Sequence, residues 1–430
     1  MSSGFLAPRG TRDVLPPESA LWQRLESVFR DLCARFRYEE IRTPVFEDTR
    51  LFSRGIGDST DIVNKEMYTF TDRGGRSLTL RPEGTASVVR AYVQAKLGGP
   101  NHLSKFFYVC SIFRYERPQQ GRYRQSHQLG VEAIGSPGPD IDAEVIGLNA
   151  ALYAELGVGE LAVHLNTIGC QECRPAYRDR LRHQLRSRLD EFCPDCQRRF
   201  ETNPLRILDC KVPRCGELSA DIPSILDALC PACVAHWDGL RRALDAIDVG
   251  YQVDPKLVRG LDYYTRTAFE FKSNAIGSQD SLSGGGRYDG LVELCGGRPT
   301  PGIGFAAGIE RALMAMERAG AAVAKGTRPS VFVARAGEAA RSAALRLMHE
   351  LREAGIAADT DYFDRGLKAQ LRSADSTGAW LALIVGDEEM AEGAVALRDL
   401  VSGEQVRVPR AQALDRVRSL LAARNGANRS

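Results

Sequence analysis

Arginines and carboxylates alternate along a polar stretch of the sequence that begins at Arg114 and ends at Glu132. Guanidinium groups offer a planar, bidentate set of donors that suits phosphate oxygens. Since side chains on one face of a strand recur every second residue, Arg114 and Glu116 should point the same way, and so should Gln128 and Glu132. The stretch is therefore either a phosphate-binding surface or a solvated hairpin face with cross-strand ion pairs.

Two other segments place charged groups beside residues that suit a binding pocket. The sequence LTLRPEGTA puts Glu83 and Thr85 beside a glycine at a predicted junction of strand and helix. Glu83 could bind an ammonium group, whereas helix capping explains Thr85 as well as any ligand does. Farther along, LVRGLDYYTRTAFE sets Arg259 near Tyr263 and Tyr264. That combination suits stabilisation of a developing anion beside a polar ring, or a strand with aromatic core residues.

Glycine-rich segments raise the question of a nucleotide-binding loop. In SGGGRYDG, three glycines precede Arg287 and Tyr288, which favours either a flexible turn or a close approach of backbone to a ligand. Gly302, Gly304 and Ala307 fit the dinucleotide-binding spacing, but they follow the loop-like CGGRPTP and not a hydrophobic strand. We therefore reject a dinucleotide site, and the sequence has no phosphate-binding P-loop motif either.

Eleven cysteines are present, and eight of them crowd between Cys170 and Cys233. Two C-x-x-C pairs brought together give the thiolate set of a structural zinc site, so eight thiols could hold two ions. The alternative is a set of reduced thiols packed as small apolar groups. The candidate zinc ligands are Cys170, Cys173, Cys193, Cys196, Cys210, Cys215, Cys230 and Cys233.

The composition excludes several classes of protein. The 430 residues carry a net charge of only +2 and are 43% hydrophobic, so a uniformly basic coat and wholesale disorder are excluded. No apolar run is long enough to span a membrane, and the N-terminal sequence lacks the apolar core of a secretory signal. We therefore expect a cytoplasmic protein, in which thiols stay reduced.

The elements that must position these residues follow from hydrophobic periodicity. Helical spacing predicts a helix from Glu18 to Phe36, and EIRTPVFE predicts a strand whose Pro44 places it at an edge or an interface. The stretch from 104 to 134 should form a long hairpin, and LVRGLDYYTRTAFEFKS should be strand-like. Residues 170–245 lack strand patterning, which indicates an inserted, mainly helical module.

The order of elements predicts an α+β body followed by a separate α/β domain. After a predicted linker at 325–330, strands alternate with helices, which indicates a mostly parallel sheet. The predicted domains are a catalytic core formed by residues 1–166 and 250–324, a cysteine-rich helical insertion at 167–249, and an α/β domain at 328–430.

These motifs, in this order, closely resemble those of histidyl-tRNA synthetases of the bacterial type, which are class II aminoacyl-tRNA synthetases. LTLRPEGTA, FRYERPQQGRYRQSHQLGVE, LVRGLDYYTRTAFE and SLSGGGRYDGL match the family signatures almost letter for letter. TPGIGFAAGIER looks like motif 3, and EIRTPVFE looks like motif 1, which builds the dimer interface in that family. The resemblance implies a class II antiparallel catalytic sheet, a C-terminal domain like the family's anticodon-binding module, and a homodimer.

The resemblance also implies an activity. Histidine and ATP would give histidyl-adenylate and pyrophosphate, with Mg²⁺ clamping the phosphates, and the histidyl group would pass to the 3′ end of histidine tRNA. Two rivals are a non-catalytic regulatory paralogue of the synthetase and a module that senses uncharged tRNA. Such paralogues tend to lose LVRGLDYY and the anticodon domain, and a sensor would tolerate loss of Arg259 or Glu83, yet this chain retains all of these.

The roles implied by the resemblance fall into three groups. The expected catalytic residues are Arg259 and Arg114. The expected histidine-binding residues are Glu83, Thr85, Gln128, Glu132, Tyr263, Tyr264 and Tyr288. The expected ATP-binding residues are Arg114, Arg117, Arg122, Arg259 and Arg311.

One residue departs from the family pattern. Ser126 stands where family members usually have an aromatic residue that packs on the adenine. Serine cannot stack, so we expect weaker ATP binding, unless a neighbouring ring substitutes.

Residues 174–206 carry nine arginines against five acids, which suits either a clamp on the tRNA acceptor arm or a solvated helix face. Arg365 and Lys368 could meet the anticodon stem.

Overall fold

The structure is a computed structural model and describes residues 5–57, 60, 62–119, 121–159, 161–273, 281–321 and 328–427. The chain forms two compact units, Met1–Ala324 and Lys325–Ser430. The predicted linker begins outside the described residues. The predicted division of the first unit into a core and an insertion stays a prediction.

The first unit combines long strands with helices of very different lengths. Its helices are α1 Glu18–Arg35, α2 Thr49–Ile56, α3 Thr85–Gln94, α4 Asp140–Glu155, α5 Arg174–Leu185, α6 Pro194–Thr202, α7 Pro213–Leu218, α8 Pro231–Ala246, α9 Leu291–Leu294 and α10 Ile309–Arg318. Its strands are β1 Glu39–Glu40, β2 Phe46–Asp48, β3 Tyr68–Thr71, β4 Ser77–Leu80, β5 Ser104–Phe113, β6 Gln125–Ile134, β7 Leu161–Thr167, β8 Gln252–Val253, β9 Thr265–Ser273, β10 Ser281–Arg287 and β11 Gly302–Gly308.

An eight-stranded sheet forms the centre of this unit, in the order β1-β5-β6-β11-β10-β9-β7-β8. Its pairings are antiparallel except for β1 with β5 and β7 with β8. The predicted hairpin is present, because β5 and β6 pair from Ser104 opposite Ile134 to Phe113 opposite Gln125. The antiparallel sheet with flanking helices confirms the predicted α+β class.

The helix predicted from Glu18 is α1, and its apolar spacing explains its packing. Trp22, Leu25, Phe29 and Leu32 recur three and four residues apart, and all four are buried in the core behind the sheet. Helix α4 lies in the same core, with buried residues around most of its circumference. Two helices thus cover the face of the sheet that carries no charged pocket residues.

Two sequence interpretations of strands need correction. EIRTPVFE is not one strand, because β1 joins the large sheet, β2 joins a separate sheet of order β2-β4-β3, and Pro44 lies between them. Proline cannot donate to a strand ladder, and the chain changes sheets there. The strand after LVRGLDYY begins only at Thr265, so Arg259 lies in an irregular segment. SLSGGGR forms the buried strand β10, so of the two alternatives for this segment the flexible turn is excluded.

The inserted region contains short helices around a small core of its own. Between β7 and β8 the chain passes through α5 to α8 and three short 3₁₀ turns, with no strand in the described residues. Its separate core is formed by Leu185, Phe192, Cys196, Phe200, Ile207, Cys215 and Leu218. The absence of strands among the described residues from 170 to 245 agrees with the sequence prediction.

The second unit has helices α11 Arg341–Glu353, α12 Leu367–Thr377, α13 Asp387–Ala391 and α14 Ala413–Ala427, and strands β12 Val331–Ala336, β13 Ala358–Thr360, β14 Leu381–Gly386, β15 Ala394–Asp399 and β16 Gln405–Pro409. Its sheet has the order β13-β12-β14-β15-β16. The prediction of a mostly parallel sheet was wrong for half of the pairings, since β14–β15 and β15–β16 are antiparallel. The connections from β14 to β15 and from β15 to β16 are too short for the crossover that parallel pairing needs.

Candidate active site

A cavity of about 370 Å³ opens against the large sheet. Strands β5, β6, β10 and β11, the first turn of α10 and the segment from Val258 to Tyr264 form its walls. The sequence places these segments far apart, but the antiparallel register brings them together. Four arginines from these segments and from the loop between β5 and β6 line the cavity, namely Arg114, Arg122, Arg259 and Arg311.

Arg259 is fixed by an ion pair and by a glycine. Its Nη1 donates to Oε1 of Glu270 on β9 at 2.8 Å. A Cβ at Gly284 on β10 would collide with the guanidinium group, so the absence of a side chain there makes room for it. Burial alone would raise the pKa of Glu270, but the charges of Arg259 and Lys272 and a hydrogen bond from Ser281 together outweigh burial, and the pKa lies below its ordinary value. Arg259 is thus held as a charged donor on the cavity wall.

The other three arginines are anchored by backbone carbonyl oxygens or by an acid. Arg114 donates from Nε to the carbonyl oxygen of Pro82 at 2.8 Å, and Arg311 donates from Nη1 to that of Ser281 at 2.8 Å. Arg122 pairs with Glu116. Burial, together with the nearby charge of Arg122, lowers the pKa of Arg311. Guanidinium groups crowded in this way favour the binding of a polyanion.

The opposite end of the site is a buried network of carboxylates and hydroxyls. Glu132 is fully buried and accepts from Thr85 Oγ1 at 2.7 Å and from Tyr288 Oη at 2.7 Å. Burial raises the pKa of Glu132 to about 8. Glu83, also buried, accepts from the backbone N–H groups of Thr85 and Ala86 at 2.7 and 2.8 Å, and burial raises its pKa. Glu83 therefore caps α3, whereas the sequence suggested Thr85 for that role.

Aromatic rings close this end. The rings of Tyr263 and Tyr264 lie 4.7 Å apart between centroids, and Tyr263 meets Tyr288 edge to face at 6.0 Å. Gln128 reaches the cavity, and its buried Oε1 has no hydrogen-bond partner among the described residues. A polar ring entering here would meet phenol rings and an acceptor oxygen whose hydrogen bond is still unmade.

The structure brings most of the predicted site residues together. Glu83, Thr85, Gln128, Tyr263 and Tyr264 line the same cavity as the four arginines. Glu132 and Tyr288 lie behind that wall and contact it through hydrogen bonds. Arg117 is exposed and does not line the cavity, although the resemblance implied a role in ATP binding.

Sequence reasoning missed three carboxylates of the cavity, Glu270, Glu310 and Asp209. A signal existed for Glu270, because it is an acid within the apolar alternation of β9. Glu310 accepts from the backbone N–H of His127 at 3.1 Å and so joins α10 to β6. Asp209 comes from the inserted region, and nothing in the local sequence indicates that it reaches the cavity.

Ser126 lies on the cavity wall, as the motif position implies. Tyr123, three residues earlier, lies on the same wall and stacks with the guanidinium of Arg12 at 5.4 Å. A neighbouring ring is therefore present beside the serine.

The eight crowded cysteines separate into two clusters of four. Cys170, Cys173, Cys230 and Cys233 form one, and Cys193, Cys196, Cys210 and Cys215 form the other. In each cluster the four sulfurs all lie within 4.8 Å of one another. The described cysteines are free thiols. Each cluster offers the four soft ligands that zinc takes in structural sites.

Comparison with known families gives two matches. The sequence model described as "Histidyl-tRNA synthetase" matches residues 10–184 and 222–312. The model described as "Anticodon binding domain" matches residues 330–420. Residues 185–221, which contain one of the two cysteine clusters, fall outside the first match.

Curated relatives and solved structures agree with these matches. The histidine–tRNA ligase of Pelotomaculum thermopropionicum is 52% identical over 402 residues, covering 93% of this chain and 94% of the relative. That of Halothermothrix orenii is 49% identical over 415 residues, covering 96% and 99%. The crystal structure of apo S. aureus histidyl-tRNA synthetase is similar with a TM-score of 0.83 and 38% identity, covering 96% of this chain and 100% of that chain. Among the described residues, no helix is long and apolar enough to cross a membrane.

Proposed function

The chain belongs to the histidyl-tRNA synthetase family and acts as a histidine–tRNA ligase, and we propose that its cavity binds histidine at the buried end and ATP at the arginine-lined end. Side chains of the cavity then take part in both half-reactions. The enzyme joins histidine to AMP with release of pyrophosphate and then transfers the histidyl group to tRNA.

At the histidine end, the substrate is recognised by the charge of Glu83 and by Oε1 of Gln128, which is unpartnered within the described part of the chain. The Glu83 carboxylate receives the substrate ammonium group, with Thr85 beside it. Gln128 and the Glu132 network recognise the ring nitrogens, and Tyr263, Tyr264 and Tyr288 enclose the ring. A ring that lacks nitrogens would leave Oε1 of Gln128 unpaired, which discriminates against it.

The ATP end uses guanidinium groups to hold the phosphates. Arg114 grips the α-phosphate, while Arg122 and Arg311 hold the rest of the nucleotide. The histidine carboxylate attacks the α-phosphorus, and pyrophosphate leaves. Negative charge grows on the α-phosphate oxygens during this step, and Arg259, already oriented by Glu270, stabilises it. Arg117, which is exposed, has no part in this assignment.

Magnesium fits the same end of the cavity. Mg²⁺ takes one or two carboxylates together with substrate phosphates, and Glu116 and Glu270 offer carboxylate oxygens on the cavity wall. When bound, it would neutralise phosphate charge.

Transfer needs surfaces for tRNA. Arg180 and Arg186 are exposed on the inserted region, where positive charge suits the acceptor arm. In the second unit, Tyr362 and Phe363 are 61% and 79% exposed, and Arg365 lies over the Phe363 ring. Exposed rings beside a guanidinium are a platform for unpaired bases, so we assign the anticodon loop to this surface, near Lys368. Because the charging reaction serves translation, we propose a cytoplasmic location for the enzyme.

A homodimer is also part of the proposal. Phe46 and Phe70 on the small sheet β2-β4-β3 pack edge to face at 6.2 Å but remain 50% and 43% exposed. Val45 beside them is 43% exposed. Contiguous exposed apolar groups next to the motif 1 segment suit contact with a second copy.

The observation that carries the proposal is the convergence of four arginines on one cavity whose other end is a buried carboxylate network. Histidine-dependent exchange of labelled pyrophosphate into ATP tests it. We expect exchange by the wild-type protein, its loss in Arg114→Ala, and its retention in Arg298→Ala, an exposed arginine outside the cavity. A folded wild-type protein that fails to exchange would instead favour the regulatory paralogue.

A further inference from the structure

We propose that the chain binds two structural zinc ions, and that the second of them holds part of the inserted region against the Arg259 segment. We call Cys170, Cys173, Cys230 and Cys233 the base cluster, and Cys193, Cys196, Cys210 and Cys215 the tip cluster. The zinc sites stand on geometry alone, whereas their effect on catalysis rests on the proposed function.

The sulfur positions match the edges of a tetrahedron. With Zn–S bonds of about 2.3 Å, the sulfurs of a tetrahedral site lie about 3.8 Å apart. In the base cluster, Cys170 Sγ lies 3.8 Å from Cys173 Sγ and 3.7 Å from Cys230 Sγ, and Cys173 Sγ lies 3.9 Å from Cys233 Sγ. In the tip cluster, Cys193 Sγ and Cys210 Sγ are 3.9 Å apart. These separations are nearly twice the length of a disulfide bond.

Backbone N–H groups point at the sulfurs in both clusters. Cys170 N donates to Cys173 Sγ at 3.3 Å, and Glu172 N donates to Cys170 Sγ at 3.4 Å. Cys193 N donates to Cys215 Sγ at 3.4 Å. Donors of this kind stabilise thiolates and orient metal ligands. Thiols packed only as apolar groups would have no need of four-way convergence or of these donors.

The two clusters fasten different parts of the inserted region. Cys170 and Cys173 follow β7, while Cys230 and Cys233 begin α8, so the base cluster joins the start of the region to its last helix. The tip cluster joins the start of α6 to the chain around α7. A metal at the base closes the whole region, and one at the tip fixes only its outer part.

The chain between the tip-cluster pairs reaches the active site. Asn203 Nδ2 donates to Oδ1 of Asp262 at 2.6 Å, and Arg206 Nη1 donates to the carbonyl oxygen of Arg259 at 3.4 Å. Asp209, the neighbour of the ligand Cys210, lines the cavity. Helix α6 and the 3₁₀ turn Pro204–Ile207 that carry these contacts are nine and four residues long. Elements this short do not hold a fixed position by themselves, so the zinc ion supplies the constraint.

Loss of the tip zinc should therefore disturb a residue used in the transition state more than the binding of substrates. Cys210→Ser, which removes one ligand and almost no volume, should lower kcat for pyrophosphate exchange about tenfold. KM for histidine should change less than threefold, because only the enclosing rings Tyr263 and Tyr264 lie on the disturbed segment. Glu83, Gln128 and Glu132 belong to other elements. Cys210→His keeps a zinc ligand and should restore both the second zinc and most of kcat.

Metal content tests the sites before any activity is measured. Elemental analysis of reduced wild-type protein should find two zinc ions per chain, with one in Cys210→Ser, one in Cys230→Ser and two in Cys295→Ala, whose thiol belongs to neither cluster. X-ray absorption of the wild-type protein should show four sulfur ligands per zinc at about 2.3 Å. Wild-type protein with no zinc, with iron in its place, or with nitrogen and oxygen ligands would overturn the proposal, even if every variant failed to fold.

The exchange assay separates the two levels of the proposal. If Cys210→Ser loses one zinc and keeps wild-type kcat, the zinc sites stand and the positioning role is wrong. If kcat falls in Cys210→Ser and the zinc-loaded Cys210→His does not recover it, the positioning role is also wrong. If the wild-type protein carries two zinc ions but performs no exchange, the proposed function fails and the metal sites remain.

Discussion

The buried end of the cavity, where we propose that histidine binds, and the tip of the inserted region both hold side chains in fixed positions, but by different means. At the histidine end, hydroxyls from α3, from the residue after β10 and from β5 converge on Glu132, and the register of a long antiparallel sheet sets their spacing. At the tip, a small core and helices of nine residues or fewer surround four thiols.

The difference lies in what supplies rigidity. In a sheet core, burial and strand pairing are distributed over many residues, so one hydrogen bond can be lost without loss of the frame. Short helices bury little surface, and they need a cross-link to remain in one arrangement. Arg259, for which we propose the catalytic role, lies where the two regions meet, since Glu270 of the sheet holds its side chain and Arg206 of the tip holds its backbone.

The largest effect is expected at that meeting point. Arg259→Ala should lower kcat for histidine-dependent exchange about 10²–10³-fold, because a preorganised donor to the developing charge is lost. KM for histidine should change little. Steady-state exchange kinetics measure both values, with Arg298→Ala as the control. A loss below tenfold would place the main charge stabilisation on another arginine.

A smaller effect should follow from cutting one contact between the regions. Asn203→Ala removes the hydrogen bond to Asp262 and should lower kcat about five- to tenfold, since a hydrogen bond to a charged group contributes about 1.5 kcal/mol. The zinc content should stay at two. Thr202→Ala, an exposed neighbour on α6, is the matched control. Equal kcat for both variants would show that the tip acts through other contacts.

Ser126→Phe tests the nucleotide side of the sheet core. A ring at this position should stack on adenine and lower KM for ATP about fivefold, which corresponds to about 1 kcal/mol. The measurement is an ATP titration of exchange at saturating histidine. An unchanged KM would indicate that Tyr123 already supplies the stacking ring.

The smallest effect concerns the stability of the buried network. Because burial raises the pKa of Glu132 to about 8, the folded protein binds this proton more tightly than the unfolded chain does. The stabilisation that this proton gives is complete below the unfolded pKa of about 4.3 and is lost as the pH rises through about 8. Glu132→Gln has no such charge to bury. Its melting temperature relative to wild type should therefore rise by roughly 2–4 °C between pH 6 and pH 9.

The control for that experiment is Glu293→Gln, an exposed glutamate in α9. Its melting temperature relative to wild type should be the same at both pH values. A flat difference for Glu132→Gln as well would mean that the network keeps Glu132 ionised in the folded state throughout this range.

Much of the sheet core could be predicted from the sequence, because its signals are local. The apolar spacing of α1 and the alternation of β5 and β6 each lie within one element, and the resemblance supplied the order of motifs. The split of EIRTPVFE between two sheets could not be predicted, since the residues of a strand do not by themselves determine which strand it pairs with. The antiparallel strands β15 and β16 were missed for the same reason.

Site residues that lie in sequence motifs were predicted, and site residues that only the tertiary structure brings to the cavity were missed. The arginines and tyrosines lie in motif segments, and most of them reach the cavity. Glu132 and Tyr288 lie behind the wall and not on it, which depends on the depth of β6 and β10 in the sheet. The division of eight cysteines into two sets of four, and the reach of Asp209, depend on tertiary structure that no spacing reveals.

The empty position opposite Arg259 has a consequence for the evolution of the gene. Every single-base change in a glycine codon that alters the residue adds a Cβ, and at Gly284 that atom would overlap the guanidinium group. Single-base changes in codon 284 are therefore neutral only where they still encode glycine, because every other product would displace the Arg259 side chain. Any other residue at this site would therefore require the Arg259 guanidinium to leave its position on the cavity wall.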